Sequence, residues 1–455
     1  MELLSINDFT GKRRLRKQPS SARLIVIGFA AVILAGALIL MLPIASKGPG
    51  HASFADALFT STSAVCVTGL IVQDTATYWT AFGQAVIITL IQIGGLGVVT
   101  MAMSIFIASG RRIGLMQRSF MQDSISAPQV GGIIRLTGFI LKGTALIEGI
   151  GAAVMAPTFI REFGLGKGIW YAVFHSISAF CNAGFDLMGV HQKFSSITEF
   201  VGNPAISVTI ALLIVVGGIG FIVWNDIATY KTDFKRYHLQ SKVALVTTAF
   251  LIAVPTLYFF FFQTQALPKS TGARWLAAFF QAVTPRTAGF NSVDLTKFND
   301  TGISVLTILQ LIGGSPGSTA GGMKTTTFAV MLAEAISVFV QSGDVHFFKR
   351  KIPEDTVRRA GAILMMYVTL FLVGGFIISS VENLPITACL FETASAIGTV
   401  GLTLGITPHL TLISRTVLVL LMYFGRVGGL TIFFALSSGP KISHSRLPRE
   451  DLTVG

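Results

Sequence analysis

The sequence predicts an all-α integral membrane protein of four tandem helix/re-entrant pore helix/helix repeats, giving eight transmembrane helices around one pseudo-fourfold pore. Three observations predict it: recurrent apolar spans, a basic charge confined between those spans, and a glycine-centred pattern that returns four times.

The spans come first. Of the 455 residues, 52% are apolar and only 12% charged, with mean hydropathy +0.71, where a soluble domain carries about 25% charged residues. Stretches that meet the about 20 residues a helical crossing needs begin at 24–42 and recur at 81–108 and 243–262. The first has no small-residue cleavage site ahead of a soluble domain, so it is expected to stay as a helix rather than leave as a signal peptide.

A formal charge of +13 would suit a nucleic-acid binder, but its placement excludes nucleic acid as a partner and points to the membrane. Segments 1–23, 109–134, 225–242, 340–359 and 438–455 carry 21 Lys and Arg, whereas 45–79, 158–202, 265–301 and 381–410 carry 8. The positive-inside rule puts the first set, with both termini, in the cytoplasm and requires an even number of crossings. The basic run 12–17 is expected to lie against anionic membrane lipids. Cys66, Cys181 and Cys389 fall in apolar stretches and are read as small core residues, not a disulfide framework.

The repeat is marked by Gly69, Gly184, Gly289 and Gly401, separated by 115, 105 and 112 residues and each followed by Leu or Phe. Ten residues before each stands a phenylalanine, Phe59, Phe174, Phe279 and Phe391. Six before stand Ser63, Ser178, Val283 and Ser395, and five before, Ala64, Ala179, Thr284 and Ala396. Each unit reads as a long span, a segment of roughly 12 residues ending at the glycine, and a second long span. A helix that short cannot cross about 30 Å of hydrocarbon, so it must enter and return on the same side. Ser53 and Asp56 form a Ser-x-x-Asp capping box at the start of the first, and Pro385 suits the first turn of the fourth. The expected division is a basic N-terminus 1–22, pore repeats 23–108, 109–224, 225–340 and 341–437, and a cytoplasmic tail 438–455.

Each second span carries a glycine cluster: Gly94-Gly95-Leu96-Gly97, Gly217-Gly218-Ile219-Gly220, Gly313-Gly314-Ser315-Pro316-Gly317 and Gly425-Arg426-Val427-Gly428. Close helix packing accounts for the first two equally well. The third differs. Residues 313–327 hold Gly313, Gly314, Ser315, Pro316, Gly317, Ser318, Thr319, Gly321, Gly322 and Lys324, and no helix survives that composition through mid-membrane. A loop is expected to interrupt this span directly below the four glycines, where it is a candidate gate.

Four re-entrant loops can supply the ring of backbone carbonyls that replaces the hydration shell of a cation. Helix C-termini pointing to the bilayer centre add partial negative charge there, and glycine provides the positive φ that turning successive carbonyls to one axis demands. The candidate filter is Val67-Thr68-Gly69, Asn182-Ala183-Gly184, Thr287-Ala288-Gly289 and Thr399-Val400-Gly401. Irregular backbone at that depth is tolerated only where it lines a path or is buried in protein.

Charges inside spans mark function by default. Lys324 and Arg426 are two such charges, and each can alternatively snorkel to the cytoplasmic interface. Arg286, three residues before a filter glycine, would repel a cation if it faced the pore, so it is expected behind the filter. Glu392 of the adjacent loop is its expected partner, the two together supporting the filter. Glu148 and Lys142 are expected to face protein, with no role legible.

These motifs, with Thr287-Ala288-Gly289-Phe290-Asn291-Ser292 among them, resemble the Trk/Ktr/HKT superfamily of K+ transporters, most of all the bacterial Ktr membrane subunit, over nearly the whole chain. The resemblance implies K+ as the transported ion, held at the filter carbonyls, and Na+ as an activator. It implies a homodimer in the cell membrane and a cytosolic ring of nucleotide-binding regulatory subunits. It implies that the intramembrane loop is the gate, that Arg426 holds it, and that the tail Leu452-Thr453-Val454-Gly455 packs at the dimer interface. Glycine at position 69, where some members carry serine and favour Na+, implies K+ selectivity. A symporter coupled to H+ or Na+ is the alternative, although no chain of Asp, Glu and His crosses the spans. A membrane enzyme is disfavoured because His175-Ser176 lacks any accompanying catalytic motif. No P-loop or dinucleotide fingerprint occurs, so no organic cofactor is expected on this chain.

Overall fold

The computed structural model describes residues 21–48, 50–108, 114–124 and 131–436. The basic run 12–17 and the tail 452–455 lie outside the described residues. Four long apolar helices, Ser21–Leu40, Ile133–Phe163, Leu239–Phe262 and Glu354–Glu382, each open one unit. A short pore helix follows each: Phe54–Val65, Leu165–Phe180, Thr271–Val283 and Ile386–Ile397. Among the described residues the sheet content is one hairpin, His346–Phe347 with Arg350–Lys351.

The first pore helix is capped at its N-terminus by a side chain, Ser53, which accepts the Asp56 N–H at 3.1 Å. The Asp56 carboxylate does not return to Ser53 as a capping box would have it; it pairs with Arg415 at 3.0 Å and accepts from Gln73. Midway, hydroxyls tie three pore helices to the long helix of their own unit: Ser61 donates to Ile33 O, Ser176 to Glu148 O and Thr393 to Phe371 O. Gly36 and Gly151 sit where those serines arrive, and Gly374 and Gly375 face Thr393. Away from the pore helices, Leu38, Leu146, Phe262 and Met365 remain exposed, the apolar belt that lipid covers.

The third second span is interrupted by a loop as expected, and the other three are not the continuous helices the sequence suggested. Three are bent pairs: Ala81–Leu96 with Val98–Ser104 at 99°, Pro204–Gly218 with Phe221–Tyr230 at 94°, and Leu412–Val427 with Gly429–Ala435 at 91°. The corners are Gly97, Gly220 and Gly428, all with φ between 86° and 99° and ψ between 126° and 142°, a conformation open essentially to glycine alone. Three residues earlier, Gly94, Gly217 and Gly425 lie against Val65 O, Phe180 O and Ile397 O, the last residue of each pore helix. One glycine of each cluster therefore serves close packing and the other turns the chain. The remaining second span, Asp300–Leu311 and Thr325–Phe339, is parted by a loop.

The third unit departs from the sequence register by one residue. Buried beneath the pore helices are Phe59, Phe174, Phe391 and, in the third, Phe280, while Phe279 is partly exposed. The serine position is likewise filled by Thr284, five residues before its glycine, and not by Val283. Thr284 donates to Phe290 O at 2.7 Å as Ser178 does to Phe185 O at 2.7 Å.

Candidate ion pathway

The four loops close a ring. A side-chain carbon added to Gly69 would strike Ala183 O, one on Gly184 would lie 2.6 Å from Ala288 O, one on Gly289 would strike Val400 O, and one on Gly401 would strike Thr68 O. Each glycine thus meets the carbonyl of the next loop, in the order one, two, three, four and back to one. The glycines themselves have φ of 89°, 71°, 77° and 95°. Two residues earlier, Val67, Asn182, Thr287 and Thr399 also take positive φ, from 50° to 67°, a conformation that costs side-chain-bearing residues of order 1–3 kcal/mol and gathers at functional sites.

The scaffold that holds this backbone lies behind it. Thr68, Ala183 and Val400 N–H groups donate to the carbonyls of Ser63, Ser178 and Ser395, and Ala288 N–H donates to Thr284 O. In the first and fourth loops the serine hydroxyl accepts the glycine N–H, at 3.0 and 2.9 Å. With the N–H groups turned back to the pore helix, the opposite side of the strip is carbonyl. Sequence reading marked these serines as repeat positions and missed their role.

One turn further back, in units two, three and four, the residue after the buried phenylalanine reaches the segment beyond the ring, whereas the Thr60 hydroxyl of unit one is buried without a partner. His175 Nε2 meets Leu187 N–H at 3.3 Å, Gln281 donates to Ser292 Oγ at 3.3 Å, and Glu392 accepts from Thr403 and, at 2.8 Å, from Thr407. Glu392 is therefore engaged within its own unit. Arg286 turns away from the ring, 4% exposed, and donates to Thr248 at 3.1 Å on the long helix of unit three. The expected Arg286–Glu392 pair is not formed, because each has a nearer partner on its own unit. Cys66 and Cys181 cap the first two pore helices, and all three cysteines are free and buried.

Residues 312–324 pass beneath the ring. Gly321 lies against Thr399, and Gly322 against Gly398 O. Thr319 Oγ1 donates to Phe180 O at 3.0 Å and Asn182 Oδ1 at 3.1 Å, while the Asn182 amide reaches Thr287 Oγ1 and Arg286 O. Ser315 N–H donates to Gly218 O, Thr319 N–H to Gly217 O and Gly322 N–H to Gly425 O, and Phe221 N–H donates to Gly317 O. Arg426 does not snorkel: its guanidinium donates to Thr319 O in the loop and to Gly94 O and Gly95 O (2.9 Å to the latter) in the first unit. Lys324 Nζ donates to Ala320 O at 2.8 Å, and with Arg426, Gly317, Ser318 and Gly322 it lines a cavity below the loop. Gly313 and Gly314 pack on Gly321 and Ala320 across the base of the loop. Glu148, within the second long helix, faces protein as expected and accepts from Gln92 at 3.1 Å; Lys142, on the same helix, does not face protein but is exposed.

A quasi-fourfold ring of carbonyls on re-entrant loops, carried by bent and broken helices with an apolar outer belt, defines a multi-pass membrane transport protein rather than an enzyme. The chain belongs to the TrkH cation transport protein family, whose model matches residues 12–444. It is 40% identical to the potassium/sodium uptake protein NtpJ of Enterococcus hirae over 98% of this chain and 99% of that one. It is 37% identical to the Ktr system potassium uptake protein B of Bacillus subtilis, over 95% and 96%. Its fold matches the crystal structure of the potassium transporter TrkH from Vibrio parahaemolyticus with a TM-score of 0.73 at 18% identity, covering 94% of this chain and 87% of that one.

Proposed function

We propose that this chain is the ion-conducting subunit of a potassium uptake system in the plasma membrane, with both termini cytoplasmic. The observation that carries the reading is the closed ring in which Gly69, Gly184, Gly289 and Gly401 each abut the carbonyl of the next loop. The strips ending at those glycines are the selectivity filter, and K+ exchanges its water for their carbonyl oxygens. The four pore repeats span 23–108, 109–224, 225–340 and 341–437. Residues 313–327 form the gate, held closed beneath the ring by Arg426, and a cytosolic nucleotide-binding ring acts on it in a complex built on a homodimer of this chain. The relatives named for potassium uptake, one for potassium and sodium, support K+ as cargo and leave Na+ as competitor or activator.

The test is Rb+ and Na+ flux into proteoliposomes holding the purified chain, wild type beside Gly69→Ser. Wild type is expected to prefer Rb+, and the serine, with its side-chain carbon against Ala183 O, to erode that preference. Flux of unchanged selectivity in the variant would refute the filter assignment. A reversal potential that tracks the K+ gradient alone separates a pore from coupled transport.

A further inference from the structure

The cavity above the ring is walled by the four filter glycines and by the residues two positions after them, Ile71, Asp186, Asn291 and Thr403. Fourfold repetition gives this position four times, and three of the four are neutral. Asp186 is the exception. Its Oδ1 accepts the Met188 N–H at 2.9 Å, which sets the side chain. Residues 182–185 and 187–189 are buried while Asp186 keeps part of its surface, so that surface opens on the cavity it lines. The neighbouring carboxylates are occupied elsewhere: Asp74 accepts from Ala76, Thr77 and Phe194 N–H groups, and Glu392 is held by two threonines behind the filter. Among the described residues no Lys or Arg lines this cavity, and His409 is the other titratable side chain on its wall. Loop three stands next to loop two in the ring, and there the side-chain oxygen of Asn291 is buried without a hydrogen-bond partner, an acceptor of the kind that marks an unfilled ligand position.

We propose that Asp186 is a cation-loading site: its carboxylate, beside the Asn291 amide oxygen, holds one monovalent cation, K+ during uptake, above the glycines before it enters the ring. The proposal rests on the ring being a filter. One negative charge in a low-dielectric cleft raises local counter-ion concentration by about 10-fold or more, so its contribution is greatest when external K+ is scarce. Its partner at the rim is the ion itself, because the cavity wall supplies no cationic side chain to neutralise it.

The experiment is Rb+ uptake into proteoliposomes as a function of Rb+ concentration at one fixed, mildly alkaline pH. Wild type, Asp186→Asn and Asp186→Glu are compared at low and high N-methylglucamine chloride, with Gly69→Ser alongside. The expected result is a KM about tenfold higher in Asp186→Asn, rising far more than Vmax falls, converging on wild type as the impermeant salt screens the charge, with Asp186→Glu close to wild type. A KM indifferent to Asp186→Asn overturns the loading site while leaving the filter intact. Equal losses in KM and Vmax in both variants, insensitive to salt, also overturn it and make Asp186 a support for Met188. Flux indifferent to Gly69→Ser overturns the filter and the loading site together.

Discussion

The ring and the loop beneath it are made of similar residues, glycine and small hydroxyls, yet they are held in opposite ways. Each strip of the ring is tied to its own pore helix, through Ser63, Ser178, Thr284 and Ser395, so its geometry is local and written four times. The loop at 312–324 is tied to everything except its own unit's pore helix: to Gly217 and Gly218, to Gly425, to Asn182, and through Arg426 to Gly94 and Gly95. Local bonds make a rigid element, and bonds gathered from three other units make one whose position depends on how those units sit. On the proposed reading, that is the physical distinction between a filter and a gate.

Four outcomes break or sharpen this contrast. The largest is expected from Gly401→Ala, whose added carbon strikes Thr68 O at φ 95°. An overlap worth about 3 kcal/mol lowers Rb+ flux by about a hundredfold at 1.4 kcal/mol per decade. Matching losses at Gly69, Gly184 and Gly289 confirm a ring, whereas a tolerant position removes its loop from it. Next is Arg426→Ala, which withdraws charged donors from three carbonyls. With charged hydrogen bonds worth about 1.5–3 kcal/mol, flux without any cytosolic partner should rise by about tenfold, and a fall in flux would make Arg426 a filter support instead. Third, Arg286→Gln and Glu392→Gln should act independently, since their partners are Thr248 and the Thr403–Thr407 pair. Their coupling in a double-mutant cycle on flux should stay below about 0.5 kcal/mol, and a larger value restores the pairing the structure lacks. Smallest is Thr284→Val, which deletes one hydroxyl bond of about 1 kcal/mol. A modest drop in melting temperature, matched by Ser178→Ala, places the two hydroxyls in equivalent roles.

The units, the pore helices and the four glycines were legible because each rests on a strong local signal: span length, a short interval between spans, and a residue at fixed offset. The third unit's register was not, because Phe279 and Phe280 are adjacent, as are Val283 and Thr284, and a pattern tolerant of either cannot choose. Only burial separates Phe280 from Phe279. The bent second spans were hidden for a related reason. Gly94 and Gly97 look alike in sequence, while one touches a pore-helix carbonyl and the other turns the chain by about a right angle. Partners across units were illegible in a stronger sense. Arg286 and Arg426 announce themselves as charges in apolar surroundings, but their acceptors, Thr248 for one and three backbone carbonyls for the other, leave no mark in composition or spacing.

The register shift of the third loop has an evolutionary reading. In a channel assembled from four identical subunits, any change to the filter is made four times at once, so intermediates between two selectivities are inaccessible. Here Thr284 stands one residue nearer its glycine than Ser63, Ser178 or Ser395 does, and the ring closes nonetheless. A single gene that encodes its four quadrants separately can be edited a quarter at a time, and ion preference in such a lineage can drift by small steps.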